Sequence, residues 1–143
     1  MADYSWLDDL HPLFRPPVVA LLRSEGIRYL DLVFIGGWRD PLIQADLYAQ
    51  GRTKPGKIVT WAKPGESPHN VTMAGKPASM AIDVAPRHVL KFEDWLPDDP
   101  VWAALGSFVG CYRALEWGGE WENNPDKPHI QLRHWRTHAG MRA

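Results

Sequence analysis

The strongest apolar periodicity runs along the last third of the chain. Leu105, Phe108, Val109, Tyr112 and Leu115 recur at helical spacing, and Gly118-Gly119 closes the run. Asp98-Asp99 precede Pro100 at its start. An acidic cap followed by proline suits a first helical turn, whose N–H groups lack intrahelical partners. The pattern predicts one helix from Pro100 to about Gly118. A shorter helix is predicted from Pro16 to Glu25, with Val18, Leu21 and Leu22 as its apolar face and Gly26 as its stop. Another opens at Asp40-Pro41, with Leu42, Ile43, Leu47 and Tyr48 at helical spacing and Gly51 closing it.

Unbroken apolar runs read as strands. Leu30 to Ile35 predicts a buried strand, and Met80 to Val84 and His129 to Leu132 predict two more. From Arg52 to Pro77 the chain is rich in Gly, Pro and Lys, with only Ile58 to Thr60 as a short strand candidate. So long an irregular stretch points to function. Strands and helices mix without a βαβ rhythm, so the expected class is α+β: a small domain with a central antiparallel sheet flanked by helices.

Size and composition narrow this picture. The 143 residues suit one domain spanning 1–143, and 45% apolar with 23% charged residues is the balance of a soluble globule. A net charge of −1 argues against a nucleic-acid partner, which requires a basic face. One cysteine, Cys111, makes no internal disulfide, and its apolar surroundings predict burial. The start, MADYSWLDDLHPLF, carries acids where an export signal carries bases, and no apolar run approaches a membrane span. A cytoplasmic protein without a membrane partner is expected.

Candidate chemistry lies with histidines and carboxylates. His69 sits in the loop Gly65-Glu66-Ser67-Pro68-His69-Asn70, and Asp83 is flanked by Ala81, Ile82 and Val84. An acid inside an apolar strand needs a partner, and a metal is one such partner. Asp126 stands three residues before His129 at a strand start, a base beside a ligand. A catalytic zinc takes three protein ligands and leaves one position open. On spacing alone, an exposed loop histidine, a turn-capping aspartate and a polar loop explain the same residues equally well. His134 and His138 also stand four apart, but no HExxH glutamate accompanies them, and that basic tail reads as surface.

The segments taken in order go further. Leu47-Tyr48-Ala49-Gln50-Gly51-Arg52-Thr53, Ser67-Pro68-His69-Asn70, Ala81-Ile82-Asp83, Trp117-Gly118-Gly119-Glu120-Trp121 and Asp126-Lys127-Pro128-His129-Ile130-Gln131 resemble the D-Ala-D-Ala carboxypeptidase and phage endolysin group of zinc peptidases. Within it they are most similar to the L-alanyl-D-glutamate endopeptidase branch. The resemblance runs over about residues 27 to 132. It implies a hedgehog-like D-Ala-D-Ala peptidase fold, and Zn2+ held by His69, Asp83 and His129. Asp126 would be the proton-transfer group and Arg39 a stabiliser of developing charge. Gln44, Ser67 and Trp121 would contact substrate. Thirteen residues separate His69 from Asp83, more than the family usually places there, and Ser79 replaces a family glycine. Residues 71–77 therefore read as a loop insertion beside the cleft.

The implied activity is hydrolysis of an amide in the peptide stem of bacterial peptidoglycan by a monomer, cytoplasmic until lysis. Release of D-alanine by a D,D-carboxypeptidase and a non-catalytic, zinc-stabilised wall-binding module are the alternatives. Glu116 and Glu120 rival Asp126 as the base. Arg39 reads equally as a surface ion pair, and Arg52, Lys54 and Lys57 as solvated loop charges or as a grip on an anionic substrate. Of the eight tryptophans, Trp121 is expected to wall the cleft and Trp102 to pack on its helix.

Overall fold

The computed structural model describes residues 3–141. In chain order its elements are α1 (Arg15–Arg23), β1 (Leu32–Gly36), α2 (Pro41–Ala49), β2 (Thr72–Met73), β3 (Lys76–Pro77), β4 (Ala81–Pro86), α3 (Pro100–Gly110), β5 (Leu115–Trp117), β6 (His129–Leu132) and α4 (Trp135–His138). Four strands form one sheet in the order β1-β4-β6-β5, every pair antiparallel, and β2 and β3 pair separately as a hairpin. This is the α+β class expected from the element pattern.

Side chains alternate across a strand, so each strand offers one residue set to each face. Ile82, Val84, Ile130, Leu132, Leu115 and Trp117 point to one side and join Leu10, Phe14, Val18, Leu21, Leu105 and Val109 in one buried apolar cluster. Helices α1 and α3 supply the other half of this core. Asp83, His129, Gln131 and Glu116 fall on the opposite face. The register sets Asp83 across from His129 and Glu116 across from Gln131. The same alternation that builds the core therefore gathers the polar residues.

Several expectations change. Helix α3 stops at Gly110, and Leu115 lies in β5, not on a helix. Leu115 and Trp117 pair with Leu132 and Ile130, and the Trp117 ring lies against Gly106 of α3 where a Cβ would clash. Sheet pairing thus supplies partners that a longer helix would forfeit. Strand β1 is an edge strand with Ile35 exposed, so the Leu30–Ile35 run is only half-buried. In α2 the cap is as expected, with Asp40 accepting from Leu42 N at 2.8 Å. Its burial is reversed: Leu42 is 81% exposed while Gln44 is 0% exposed. Ile58 to Thr60 joins no strand. Cys111 is exposed, because it lies beyond the packed face of α3. Trp102 is buried on its helix as expected, and no helix among the described residues is long and apolar enough to cross a membrane.

The segment read as an insertion is the β2–β3 hairpin. Val71 packs against the core and its carbonyl accepts from Ala78 N at 2.9 Å, so only residues 72–77 stand clear. Replacing 72–77 by a two-residue Asn-Gly turn should shift the melting temperature by only a few degrees, because little core is lost. A protein that fails to fold after the exchange would show the hairpin to be structural.

Candidate metal centre

Three side chains from three segments converge on the polar face of the sheet. Asp83 comes from the centre of β4, and His129 from the first residue of β6 directly opposite. His69 comes from a single helical turn, Pro68–Asn70, packed over them. That turn is built locally. Ser67 Oγ accepts from His69 N, Asn70 Oδ1 accepts from Ser67 N, and Pro68 sits at the first position. It is tied down by Arg39 N donating to His69 O at 2.8 Å, Asn70 Nδ2 donating to Arg39 O at 2.9 Å and Met80 N donating to Pro68 O at 2.9 Å.

Each imidazole faces its own oxygen of the Asp83 carboxylate. His69 Nε2 lies 3.4 Å from Asp83 Oδ2, His129 Nδ1 lies 3.3 Å from Asp83 Oδ1, and the two nitrogens are 3.3 Å apart. Taken as one atom per residue, the three donors lie within 4.8 Å of one another, close to the spacing of about 3.3–3.4 Å between ligands that stand about 2.0–2.1 Å from a tetrahedral zinc. Asp83 Oδ1 is buried and has no hydrogen-bond partner among the described residues, as a ligand oxygen would.

Neighbours set which nitrogen is free. His69 Nδ1 donates to Gly37 O at 2.7 Å, leaving Nε2 with its lone pair toward the centre. Gly37 lies just past an irregularity in the β1–β4 ladder between Phe34 and Gly36. Glu116 Oε2 can only accept, so the Gln131 amide must turn its Nε2 to it, at 2.8 Å. That turns Gln131 Oε1 toward His129 Nε2, 2.8 Å away, which donates and leaves Nδ1 free. Gln131 is thus a supporting residue missed in the sequence as a site member, and Glu116, weighed there as a rival base, stands behind Gln131 as a second support. The two-residue offset of His129 and Gln131 on one strand was the available signal.

Electrostatics follow from this crowding. Burial alone would raise the Asp83 carboxyl, but the His129 and His69 imidazoles held against its two oxygens outweigh it and keep the group well below the usual carboxylate range. For His129, burial opposes the charged form, yet Asp83, Gln131 and Asp126 together raise it. Asp126 faces the solvent of the groove, but the protein around that groove pushes its carboxyl up, Asp83 adds to the rise, and His129, His69 and Arg39 pull it back.

The remaining expected site residues divide. Asp126, Arg39 and Trp121 line the same groove, about 950 Å3 in volume, together with the three donors. The Asp126 carboxylate makes no hydrogen bond among the described residues, whereas Glu116 is engaged by Gln131, Trp121 and Arg133. Glu120 is exposed outside the groove wall. Arg39 is no surface ion pair: its Nη2 lies 3.7 Å from Asp83 and its Nη1 donates to Gln44 Oε1 at 2.8 Å. Gln44 was expected to touch substrate. It is fully buried, and its Nε2 donates to Ala62 O at 2.7 Å and Thr60 Oγ1 at 3.2 Å, so it acts behind Arg39. The Ser67 hydroxyl is occupied by the His69 turn, which replaces the expected substrate contact with support. Arg52 stacks on Tyr48, Lys54 pairs with Asp46, and Lys57 is exposed outside the groove, so these three read as structural or solvated charges. His134 and His138 are exposed and lie outside the cluster.

Gly118 joins Asp126 to this face. Its carbonyl accepts from Asp126 N at 2.8 Å, and a Cβ there would collide with Asp126 O and press on His129 Cβ. Gly118→Ala should cost about 1–3 kcal/mol and depress activity by moving both residues. An unchanged melting curve would show that the loop yields freely.

Two imidazoles and a carboxylate with preset lone pairs, and an unengaged acid beside them in an open groove, define a metallopeptidase centre. Comparison with known proteins agrees. A family model described as D-alanyl-D-alanine carboxypeptidase matches residues 61–132, a stretch that holds His69, Asp83, Asp126 and His129 and leaves Arg39 and Gln44 outside. The chain is 34% identical over 131 residues to the peptidoglycan L-alanyl-D-glutamate endopeptidase CwlK of Bacillus subtilis (strain 168), covering 87% of this chain and 74% of that protein. The crystal structure of Serratia marcescens L-Ala D-Glu endopeptidase ChiX is similar at 19% identity with a TM-score of 0.47, over 88% of this chain and 82% of that one. The chain belongs to the D-alanyl-D-alanine carboxypeptidase family and is a metallopeptidase.

Proposed function

We propose that this chain is a zinc endopeptidase that hydrolyses the L-alanine–D-glutamate bond in the peptide stem of bacterial peptidoglycan. His69, Asp83 and His129 hold the ion and Asp126 moves the proton. The observation that carries the reading is the trio of donors, one atom from each of His69, Asp83 and His129 within 4.8 Å of one another, with both imidazole tautomers preset. The choice of bond comes from the 34% identical Bacillus relative, whose name states that activity. The chain is read as one catalytic domain over residues 1–143 that acts as a monomer, with no nucleic-acid or membrane partner.

When bound, zinc supplies Lewis acidity and lowers the pKa of a water toward neutrality. Asp126 accepts the proton of the attacking water and delivers it to the leaving amine. Arg39, clamped by Gln44, faces the groove beside Asp83 and stabilises the charge that develops on the scissile carbonyl oxygen. Trp121, whose ring centroid lies 5.1 Å from that of His129, limits water beside the ion.

The test is metal analysis of the purified protein together with mass spectrometry of digested muropeptides. One zinc per chain and new N-terminal D-glutamate are expected. Release of D-alanine alone would transfer the chain to carboxypeptidase chemistry. The proposed activity extends to a role in host lysis, for which the resemblance of the motifs to endolysins is the support. The turbidity of permeabilised bacteria should then fall on addition of the protein, and stay level if it serves another purpose.

A further inference from the structure

The groove continues past Asp126. A second cavity of about 490 Å3 opens there, lined by Glu93, Asp94, Trp95, Pro97 and Trp102 among others. It shares Trp95, Pro125, Asp126 and Pro128 with the metal groove, so the two meet along that wall. Its volume is in the range of sites for small organic ligands.

The wall is held in an unusual shape. Trp95 and Leu96 are consecutive non-glycine residues at φ +56° and +46°, a region that side chains other than glycine disfavour. Three hydrogen bonds maintain it. Trp102 Nε1 donates to Trp95 O and to Leu96 O, both at 3.1 Å, and Asp94 Oδ1 accepts from Leu96 N at 3.0 Å. A backbone kept against its preference points to the group it presents. That group is the Trp95 indole, half-buried against the core and bordering both cavities.

The two ends differ in charge. The metal groove holds two arginines, Arg39 and Arg136, among the acids Glu66, Asp83, Glu116 and Asp126, and would gain the double charge of the ion. The second cavity carries exposed Glu93 and Asp94, and its Lys127 ammonium is bonded to the Pro97 carbonyl. Such an end repels an anionic stem and suits a neutral ligand rich in hydroxyl donors. A tryptophan and proline wall suits the C–H face of a pyranose.

We propose that this cavity is a sugar subsite in which Trp95 stacks on the N-acetylated muramyl ring that bears the stem. This rests on the stem-peptide reading above. In that substrate the L-alanine is amide-linked to the lactyl group of the sugar. The ring therefore lies beyond the alanine and the lactyl unit, two residue lengths or about 7 Å of extended chain from the bond to be cut. The link is an amide, so the sugar end carries no carboxylate to meet Glu93 and Asp94.

The zinc-loaded full chain is tested on a disaccharide-tetrapeptide and on the same tetrapeptide without sugar. A stacked ring is expected to raise kcat/KM about tenfold on the sugar-bearing substrate. Trp95→Ala should bring that ratio to within about twofold of unity, and Trp95→Phe, which keeps a ring on the core, should retain most of it. Equal wild-type rates on both substrates, or an unchanged ratio in Trp95→Ala, overturn the subsite. A second measurement does not depend on cleavage. N-acetylglucosaminyl-N-acetylmuramic acid with its lactyl carboxyl capped as the N-methylamide, titrated into 15N-labelled zinc protein, should shift the Trp95 indole resonance, and a resonance that stays in place overturns the proposal. If neither peptide is cut while the indole still shifts, the cleavage reading fails and the sugar site stands.

Discussion

Asp83→Ala should abolish zinc binding and, with it, all measurable peptidase activity. Asp83 is the only anionic member of the donor trio, and its two oxygens face the two histidines separately at 3.4 and 3.3 Å. Loss of a residue that merely supports a ligand costs about 10–100-fold in metal affinity, and loss of the ligand itself should cost more. Stability gives a second readout. Free zinc at about 100 times its Kd should stabilise the wild type by about 2.7 kcal/mol, a rise of roughly 10 °C for a chain of this size. The variant should melt at the same temperature with or without zinc. Calorimetry and metal analysis check both, and one zinc per chain retained in Asp83→Ala would place the ion elsewhere.

Asp126→Asn should behave in the opposite way, keeping zinc and fold but losing at least about 100-fold in kcat, or about 2.7 kcal/mol of transition-state stabilisation. Its carboxylate faces the groove and makes no hydrogen bond among the described residues, so the isosteric amide disturbs nothing that folding uses. An amide cannot accept the proton. Glu116→Gln is the informative control, since Glu116 orients Gln131 and is bonded to Trp121 and Arg133. It should weaken zinc affinity and leave the chemistry of loaded enzyme largely intact. Full activity in Asp126→Asn would falsify the assignment of the proton to that residue.

The fold was legible wherever a local signal was sufficient. Strand β6 lies where His129 to Leu132 predicted it, α1 opens at its proline pair, and α2 opens at its Asp40 cap and Pro41. The failures share one cause. Leu115 fits the α3 period yet lies in a strand, because its partner is Leu132, which spacing along one segment does not reveal. Leu42 and Ile43 have helical spacing yet face solvent, while Gln44 between them and Leu47 is buried by Arg39, Thr60 and Ala62. Ile58 to Thr60 has strand composition, but no neighbouring strand lies in register to pair with it.

The site divides in the same way. By itself the sequence determined the donor types, the loop that carries His69, and the acid three residues before His129. These depend on residue chemistry and short-range geometry, which the chain carries in its order. The tertiary structure alone decided that Asp83 stands opposite His129, that Gly37 and Gln131 choose the free nitrogens, and that Gln44 braces Arg39. Most of those relations join segments distant along the chain. They are set by strand register and by which face the apolar residues bury, because burying Ile82 and Ile130 on one side leaves Asp83 and His129 no place but the other.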